Sequence, residues 1–135
     1  MARLVFDIET SALPLEQFDD AQQEYLFRDC LKMADEAAQA ARRAEIQQQF
    51  NLWPFTAQVV CVAMLNADSL RGQVLFTAED FEEEADEAGP VEFMACMDEV
   101  ELLTAFWDVA KHYEAIDTFN GRGFDVPFLY LRSAL

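Results

Sequence analysis

The chain has 135 residues, 53% of them hydrophobic, which is enough for one folded domain and one core but not for two. Nine basic residues against 26 acidic ones give a formal net charge of −17 at pH 7. This balance argues against a typical nucleic-acid-binding domain, since phosphate contacts come from Lys and Arg. It favours a cation-dependent site, or a basic region that lies outside these residues.

The cysteines predict a reducing compartment. Cys30, Cys61 and Cys96 are far apart and odd in number, and the chain has one histidine. This pattern argues against a Cys/His zinc site and against a disulfide framework. We expect reduced thiols in a cytoplasmic protein. No apolar run has the length of a signal peptide or a membrane span, so no membrane contact is expected.

The first elements are a strand and a helical block. Residues 3–8 are rich in β-branched and aromatic side chains and predict a strand. Residues 15–53 contain no Gly and no Pro, and Ala, Gln, Glu and Arg dominate them, so a helical insertion is expected at about 15–53. It forms one long helix or two helices broken near Cys30. An apolar stripe indicates core packing, with a partner-binding face as the alternative; it comprises Phe18, Tyr25, Leu26, Met33, Ala37, Ala41 and Ala44.

Two strands and an acidic loop follow. Residues 58–67 are almost continuously apolar and predict a central strand that is covered on both faces. Residues 73–78 predict a second strand in a hairpin with it. Seven of the nine residues at 79–87 are acidic, so we expect a solvated loop at about 79–90. The alternative function of this loop is that of a phosphate mimic in an acidic interaction protein.

The last third of the chain predicts a helix, a strand and a second helix. Asp98 and Glu101 have the spacing of a capping box for a helix that reaches about residue 113. Residues 115–120 predict a strand, and a glycine-bearing loop leads to Asp125, which is expected to cap the final helix. This order predicts an α/β fold: a mixed sheet with flanking helices in a single domain spanning residues 1–135.

Three carboxylates could meet at one end of this sheet. Asp7 and Glu9 are two residues apart in a strand, so their side chains share one face. If the strand at 115–120 lies beside the first, Asp125 can face Asp7. Three such carboxylates would not all stay ionised without cations between them. Mg²⁺ or Mn²⁺ is the expected occupant, because hard divalent ions prefer oxygen ligands.

Two segments carry a family resemblance. FDIET at residues 6–10 resembles the first motif of the DEDD 3′–5′ exonucleases. FNGRGFDVPFL at 119–129 resembles the second motif, in the form typical of the proofreading exonuclease of family B DNA polymerases. The resemblance implies an RNase H-like fold and a 3′–5′ exonuclease that hydrolyses phosphodiester bonds. It does not cover the acidic loop or most of the helical insertion.

The resemblance also implies residue roles and ligands. Asp7 would bridge two Mg²⁺ or Mn²⁺ ions, Glu9 would bind the ion that generates hydroxide, and Asp125 would help to hold the second ion. Asn120 would contact the strand near the scissile phosphate, and Thr10 would lie where the terminal nucleotide enters. Phe124 is placed with the substrate-binding residues, although packing beneath Asp125 is the favoured role for it. The implied partner is the 3′ end of single-stranded DNA or RNA.

The third motif of the family, Tyr or His followed four residues later by Asp on a helix, is absent. Residues 126–135 contain no acid. The chain is therefore expected to be a C-terminally incomplete exonuclease domain that is itself inactive, with an exposed sheet edge and possible self-association. The alternative is a non-catalytic RNase H-like module that binds nucleic acid or acts as a scaffold.

Overall fold

The computed structural model describes residues 2–79 and 89–135. The chain separates into two compact units: a sheet unit, Met1–Thr10 with Val59–Leu135, and a helical unit, Ser11–Gln58. The predicted helical insertion at 15–53 lies in the helical unit. That residues 1–135 form a single domain stays a prediction. The acidic loop predicted at about 79–90 falls largely outside the described residues.

A five-stranded mixed sheet lies in the order β4-β3-β2-β1-β5. The β1–β5 and β3–β4 pairs are parallel, and β2 pairs with β3 in the antiparallel hairpin that the sequence predicts. The predicted α/β class, a mixed sheet with flanking helices, is confirmed. The strands are β1 (Arg3–Ala12), β2 (Ala57–Asn66), β3 (Gly72–Thr77), β4 (Val91–Cys96) and β5 (Ala115–Asp117).

Strand β1 has one buried and one exposed face. Leu4, Phe6 and Ile8 are buried, with relative exposures of 1–5%, whereas Val5, Asp7 and Glu9 are exposed on the other face. On the buried side, the Phe6 and Phe106 rings pack edge to face with centroids 5.1 Å apart. Burial of the alternate apolar side chains thus fixes the strand and leaves both acids facing outward; the buried residues are Leu4, Phe6 and Ile8.

Helix α3 (Glu99–Ala110) supplies the cover for this buried face. The Asp98 carboxylate accepts a hydrogen bond from the Glu101 N–H at 2.9 Å, which confirms the predicted cap. The Glu101 carboxylate accepts from the N–H of Met97, at 2.8 Å, rather than from that of Asp98 as a full capping box requires. The helix ends at Ala110, three residues before the predicted end.

A partly buried ion pair ties the final helix, α4 (Val126–Ala134), to α3. The Arg132 Nε donates to both Glu99 carboxylate oxygens at 3.0 and 3.1 Å, and the two side chains are only 14% and 12% exposed. The same carboxylate accepts from the Val59 N–H on β2 at 2.6 Å. Glu99 therefore joins α4, α3 and the sheet at one point.

The helical unit contains two helices, α1 (Asp20–Leu26) and α2 (Glu36–Gln49), so the broken-helix alternative is correct. Asp19 caps α1 in a complete capping box with Gln22. The predicted apolar stripe is largely wrong, since Tyr25, Met33, Ala37, Ala41 and Ala44 are exposed and only Phe18 and Leu26 are partly buried. The buried core of this unit instead comprises Phe27, Cys30, Ile46 and Phe50, of which Cys30 and Phe50 lie outside α1 and α2, where an α-helical pattern does not apply.

Three strand predictions need correction. Strand β4 is not predicted by the sequence, because its residues show no alternating pattern. The strand forms through its parallel pairing with β3. Strand β2 is central, but Ala63 is exposed, so the sheet is not covered on both faces there. Strand β5 ends at Asp117 instead of residue 120, and the chain turns earlier towards α4.

No helix in the described parts of the chain is long and apolar enough to cross a membrane.

Candidate metal centre

The parallel pairing of β1 and β5 brings the two predicted motifs to the same edge of the sheet. The register pairs Leu4 with Ile116 and Val5 with Asp117. Both strands run in the same direction, so their carboxyl ends, with FDIET on one and the turn to Asp125 on the other, emerge together. This is the adjacency that the three-carboxylate prediction requires.

A turn of π-helical hydrogen bonding, Gly121–Asp125, connects this edge to α4. The Asn120 carbonyl accepts from the Phe124 N–H at 2.8 Å and from the Asp125 N–H at 3.3 Å. Asp125 is already helical, with φ −58° and ψ −52°, and its side chain makes no capping hydrogen bond. The prediction that Asp125 caps the last helix is therefore wrong, because the backbone enters the helix before it and the carboxylate turns inward.

The Asp125 carboxylate is buried without full hydrogen bonding. The residue is 3% exposed, and its Oδ2 atom has no hydrogen-bond partner in the structure. Burial raises the pKa of Asp125 above the ordinary value for Asp, and the negative charge of Asp7 raises it further. A buried acceptor of this kind is costly unless a cation or a donor reaches it.

The thiol of Cys61 lies within the electrostatic field of the other two acids, Asp7 and Glu9. Burial raises the pKa of Cys61 on β2, and the charges of Glu9 and then Asp7 raise it further. The exposed face of β1 and this part of β2 therefore form one strongly negative surface. The charge of Asp7 raises the pKa of both Cys61 and Asp125.

The donor chemistry fits a hard divalent cation, although the three acids do not form a compact cluster. Within residues 2–79 and 89–135, no three Asp, Glu, His or Cys side chains are grouped closely enough to hold an ion. Asp7 and Asp125 still repel each other, and the buried Oδ2 lacks a partner. A cation held by carboxylate oxygens would offset both effects.

Two glycines make room for the turn. A side chain at Gly121 would overlap the Thr118 hydroxyl, and a Cβ at Gly123 would lie 2.7 Å from Asn120 Oδ1. Neither glycine has a positive φ, so their role is to allow close approach. The Thr118 Oγ1 atom is itself buried without a hydrogen-bond partner.

The predicted substrate-binding residues lie around the same edge. Thr10 is half-buried near the end of β1 and Asn120 is exposed at the start of the turn. Phe124 is half-buried, with its ring centroid 5.4 Å from that of Phe128. This contact favours the packing role of Phe124 over a contact with a base.

Phe119 was not singled out from the sequence. It follows β5 directly before Asn120 and is fully exposed, at 103% of its reference area. An aromatic residue at the end of a strand is usually a core residue, so the sequence offers no signal for an outward position.

Comparisons with known proteins show the family of this chain. A profile of the exonuclease domain of DNA polymerase family B matches residues 1–135. DNA polymerase 1 of Saccharolobus solfataricus is 28% identical over 75 residues, which are 56% of this chain and 8% of that protein. The chain thus corresponds to a small part of the length of this relative. It belongs to the family of exonuclease domains of family B DNA polymerases.

Proposed function

We propose that this chain forms the metal-binding part of a 3′–5′ exonuclease that acts on single-stranded DNA ends. The observation that carries the proposal is the buried Asp125 carboxylate, which has an unpaired Oδ2 and faces the charge of Asp7. The match to an exonuclease family and the name of the polymerase relative support a nuclease acting on DNA. The free thiols of Cys30, Cys61 and Cys96 agree with a cytoplasmic location.

Asp7, Glu9 and Asp125 would hold two divalent ions, Mg²⁺ or Mn²⁺. Bound ions of this kind lower the pKa of a water molecule and stabilise the leaving 3′-oxygen. Asp7 would serve both ions, as the resemblance of FDIET to the first exonuclease motif implies. Thr10 and Asn120 would orient the 3′-terminal nucleotide, and Phe124 would hold the turn against Phe128.

The 135 residues supply three of the four carboxylates that the family's motifs imply. Residues 126–135 contain neither an acid nor the Tyr or His that precedes it in the third motif. We therefore expect this chain by itself to bind divalent ions and to hydrolyse DNA very slowly. If the coding sequence continues in frame past Leu135 with such a motif, the longer chain should release mononucleotides from 3′ ends.

Mn²⁺ titration tests the carboxylate site directly. Mn²⁺ bound to the wild-type chain is measured by the loss of the free-ion signal in electron paramagnetic resonance. We expect Asp7→Ala and Asp125→Ala each to weaken Mn²⁺ binding by about tenfold or more, since each removes a proposed ligand. Asp108→Asn is the matched control, because this exposed carboxylate on α3 pairs with Lys111 instead.

Equal Mn²⁺ affinity in the wild type and both Ala variants would falsify the metal site. The longer chain, if encoded, is then assayed on 5′-labelled single-stranded DNA and RNA with Mg²⁺. Laddering from the 3′ end, lost in Asp7→Ala, is the expected result with DNA. Degradation of RNA alone would overturn the DNA assignment.

A non-catalytic module is the second candidate function. The net charge of −17 and the lack of an acid in residues 126–135 favour it. Such a module would act as a scaffold without divalent-dependent hydrolysis of DNA, in any length of the chain. The degradation assay with the longer chain therefore separates the two functions.

A further inference from the structure

A cavity of about 330 Å³ lies in the sheet unit, between the turn that joins β2 to β3, residues 67–71, and the end of α3. The buried side chains of Leu4 and Met64, which are 1% and 5% exposed, give it an apolar floor. The polar residues of its lining are Asn66, Ser69, Arg71, Gln73, Glu92 and Tyr113. A cavity of this size, with an apolar floor and several polar side chains, has the usual form of a small-ligand site.

This cavity lies near the start of β1, away from the candidate metal centre. The Arg3 carbonyl accepts from the Ala67 N–H at 3.0 Å, so the turn after β2 lies beside the first residue of β1. Asp7 is four residues further along this strand, which corresponds to about 13 Å. Leu4 and Asp7 also lie on opposite faces of β1. The cavity and the metal centre are therefore separate sites.

The turn beside the cavity is held in a strained conformation. Leu70 has a φ of 58°, in the left-handed region that residues other than Gly rarely adopt. The Asn66 Oδ1 atom accepts from the N–H of Asp68 at 2.9 Å and from that of Ser69 at 3.0 Å. The Asn66 carbonyl accepts from the Leu70 N–H at 2.9 Å. Such strain persists only where the surrounding contacts enforce it, so Ser69 and Arg71 are held in place on either side of Leu70.

Asn66 also links this turn to the residue that follows α3 on the other side of the cavity. Its Nδ2 donates to the Tyr113 hydroxyl at 3.3 Å, and Tyr113 is half-buried. The hydrogen bond fixes the position of the ring in the lining. An aromatic ring in such a position can stack on a planar ring of a ligand, whatever the sequence of donors and acceptors on that ring.

The lining carries two opposite charges that are not neutralised by a neighbour. Arg71 and Glu92 are both exposed, and neither forms an ion pair within residues 2–79 and 89–135. A guanidinium donates two parallel hydrogen bonds to a phosphate or a carboxylate. Glu92 would repel a second anionic group and accept from a donor. A ligand with an anionic group at one end and amino groups at the other therefore suits this lining.

We propose that this cavity binds a 5′-mononucleotide, with its phosphate on Arg71, its base on the Tyr113 ring and an amino group of the base towards Glu92. This inference rests on the proposed exonuclease function, because hydrolysis from a 3′ end releases 5′-mononucleotides. It adds a product-binding site apart from the metal centre. Adenine and cytosine carry an exocyclic amino group and thymine does not, so dAMP should bind better than dTMP.

Titration in EDTA tests this site without a contribution from divalent ions. The isotope-labelled 135-residue chain is titrated with dAMP, dTMP, deoxyadenosine and inorganic phosphate, and the amide shifts are followed by nuclear magnetic resonance. We expect dAMP to bind more tightly than the other three. It should shift the amides of Ser69, Arg71 and Tyr113 and leave those of Asp7 and Glu9 in place.

Arg71→Gln should weaken dAMP binding by about tenfold or more, since it removes the charge-assisted hydrogen bonds to the phosphate. It should leave the binding of deoxyadenosine, which has no phosphate, unchanged. Tyr113→Leu should weaken the binding of both, and the spectrum of each variant checks that the fold is retained. Arg122→Gln is the matched control, because Arg122 is also exposed and lies in the turn that leads to Asp125. It should not change dAMP binding.

Equal loss of dAMP and deoxyadenosine binding in Arg71→Gln, or no loss of either, would overturn the phosphate contact. Shifts at Asp7 and Glu9 together with loss of binding in Arg122→Gln would place the nucleotide at the metal centre and overturn the separate site. Inorganic phosphate that binds as tightly as dAMP would overturn the contact with a base.

Failure of the wild type to bind dAMP overturns this inference as well. The Mn²⁺ titration judges the exonuclease proposal separately, so the two failures are distinguishable.

Discussion

At the scale of single residues, Asp125 combines burial with the repulsion of a second carboxylate. Its carboxylate is buried, has one oxygen without a partner and lies within the field of Asp7. Each condition favours the protonated form of the group. Such a conflict is expected at a functional site, where charge is arranged for a ligand and not for the stability of the fold.

The pKa of Asp125 gives a pH-dependent stability. Because the folded-state pKa is raised, the folded state binds the proton more tightly, and the free energy of unfolding falls as pH rises from the ordinary Asp pKa of about 3.9 through the raised value. Asparagine does not ionise, so Asp125→Asn should not show this fall in the free energy of unfolding as pH rises. In EDTA, the stability of Asp125→Asn relative to the wild type should therefore be greater at pH 7 than at pH 4.

Urea unfolding at the two pH values measures this difference. Asp108→Asn is again the control, and its difference from the wild type should vary little with pH, since Asp108 is exposed. Mn²⁺ should stabilise the wild type at pH 7 and have little effect on Asp125→Asn. If the free energies of unfolding of Asp125→Asn and the wild type differ by the same amount at both pH values, ionisation of Asp125 does not cause the pH dependence.

At the scale of secondary-structure elements, the position of Asp125 depends on how α4 is held. The helix is anchored near its far end by the Glu99–Arg132 pair, which also contacts the backbone of β2. Nearer the site, Phe124 packs on Phe128. Two contacts at opposite ends of α4 therefore determine where the carboxylate lies.

Breaking the Glu99–Arg132 pair should destabilise the fold strongly. Glu99→Gln leaves the Arg132 charge in a site that is mostly shielded from solvent, and a loss of about 3–5 kcal/mol in the free energy of unfolding is expected. Replacing both members, as Glu99→Leu with Arg132→Met, should cost less than the single change. Urea unfolding provides the measurement.

The exposed pair of Asp108 and Lys111 on α3 is the internal comparison. Lys111→Ala should change the free energy of unfolding by about 1 kcal/mol or less, because solvent screens that pair. A Glu99→Gln variant no less stable than Lys111→Ala would show that the pair does not anchor α4.

Sequence patterns predict some of these elements and not others, for physical reasons. Strand β1 and helix α3 follow from alternation and from a local cap, both of which neighbouring residues determine. Strand β4 depends on its pairing with β3, a contact between two separate segments that no local pattern encodes. The two motifs predict which acids are involved, whereas the inward turn of Asp125 depends on backbone angles fixed by the turn at 121–125.

At the scale of the whole molecule, charge and open surface act in opposite directions. The net charge of −17 keeps copies apart, while β4 and β5 lie at the two edges of the sheet and expose Phe93, Met94 and Ile116. Strand edges and exposed apolar side chains favour contact between copies. The balance therefore depends on ionic strength.

Self-association should increase with salt. At about 0.5 M NaCl the repulsion between copies is screened, so sedimentation velocity should show more dimer than at low salt. Phe93→Glu should reduce this dimer, because it places a charge on the exposed face of β4. Val100→Glu, at a 73% exposed position on α3, should not. A monomer at all salt and protein concentrations would contradict the prediction.

The crowding of the turn before α4 has a consequence for how this site could change during evolution. A side chain at Gly121 would displace the Thr118 hydroxyl, and one at Gly123 would displace the Asn120 amide, so a substitution at either glycine requires its neighbour to move. Adjustment of the Asp125 carboxylate is then less disruptive through substitutions in α4 or at its Glu99–Arg132 anchor, away from the turn. Arg122 and Phe119 are both exposed, so the side chains at these two positions can change without such a displacement.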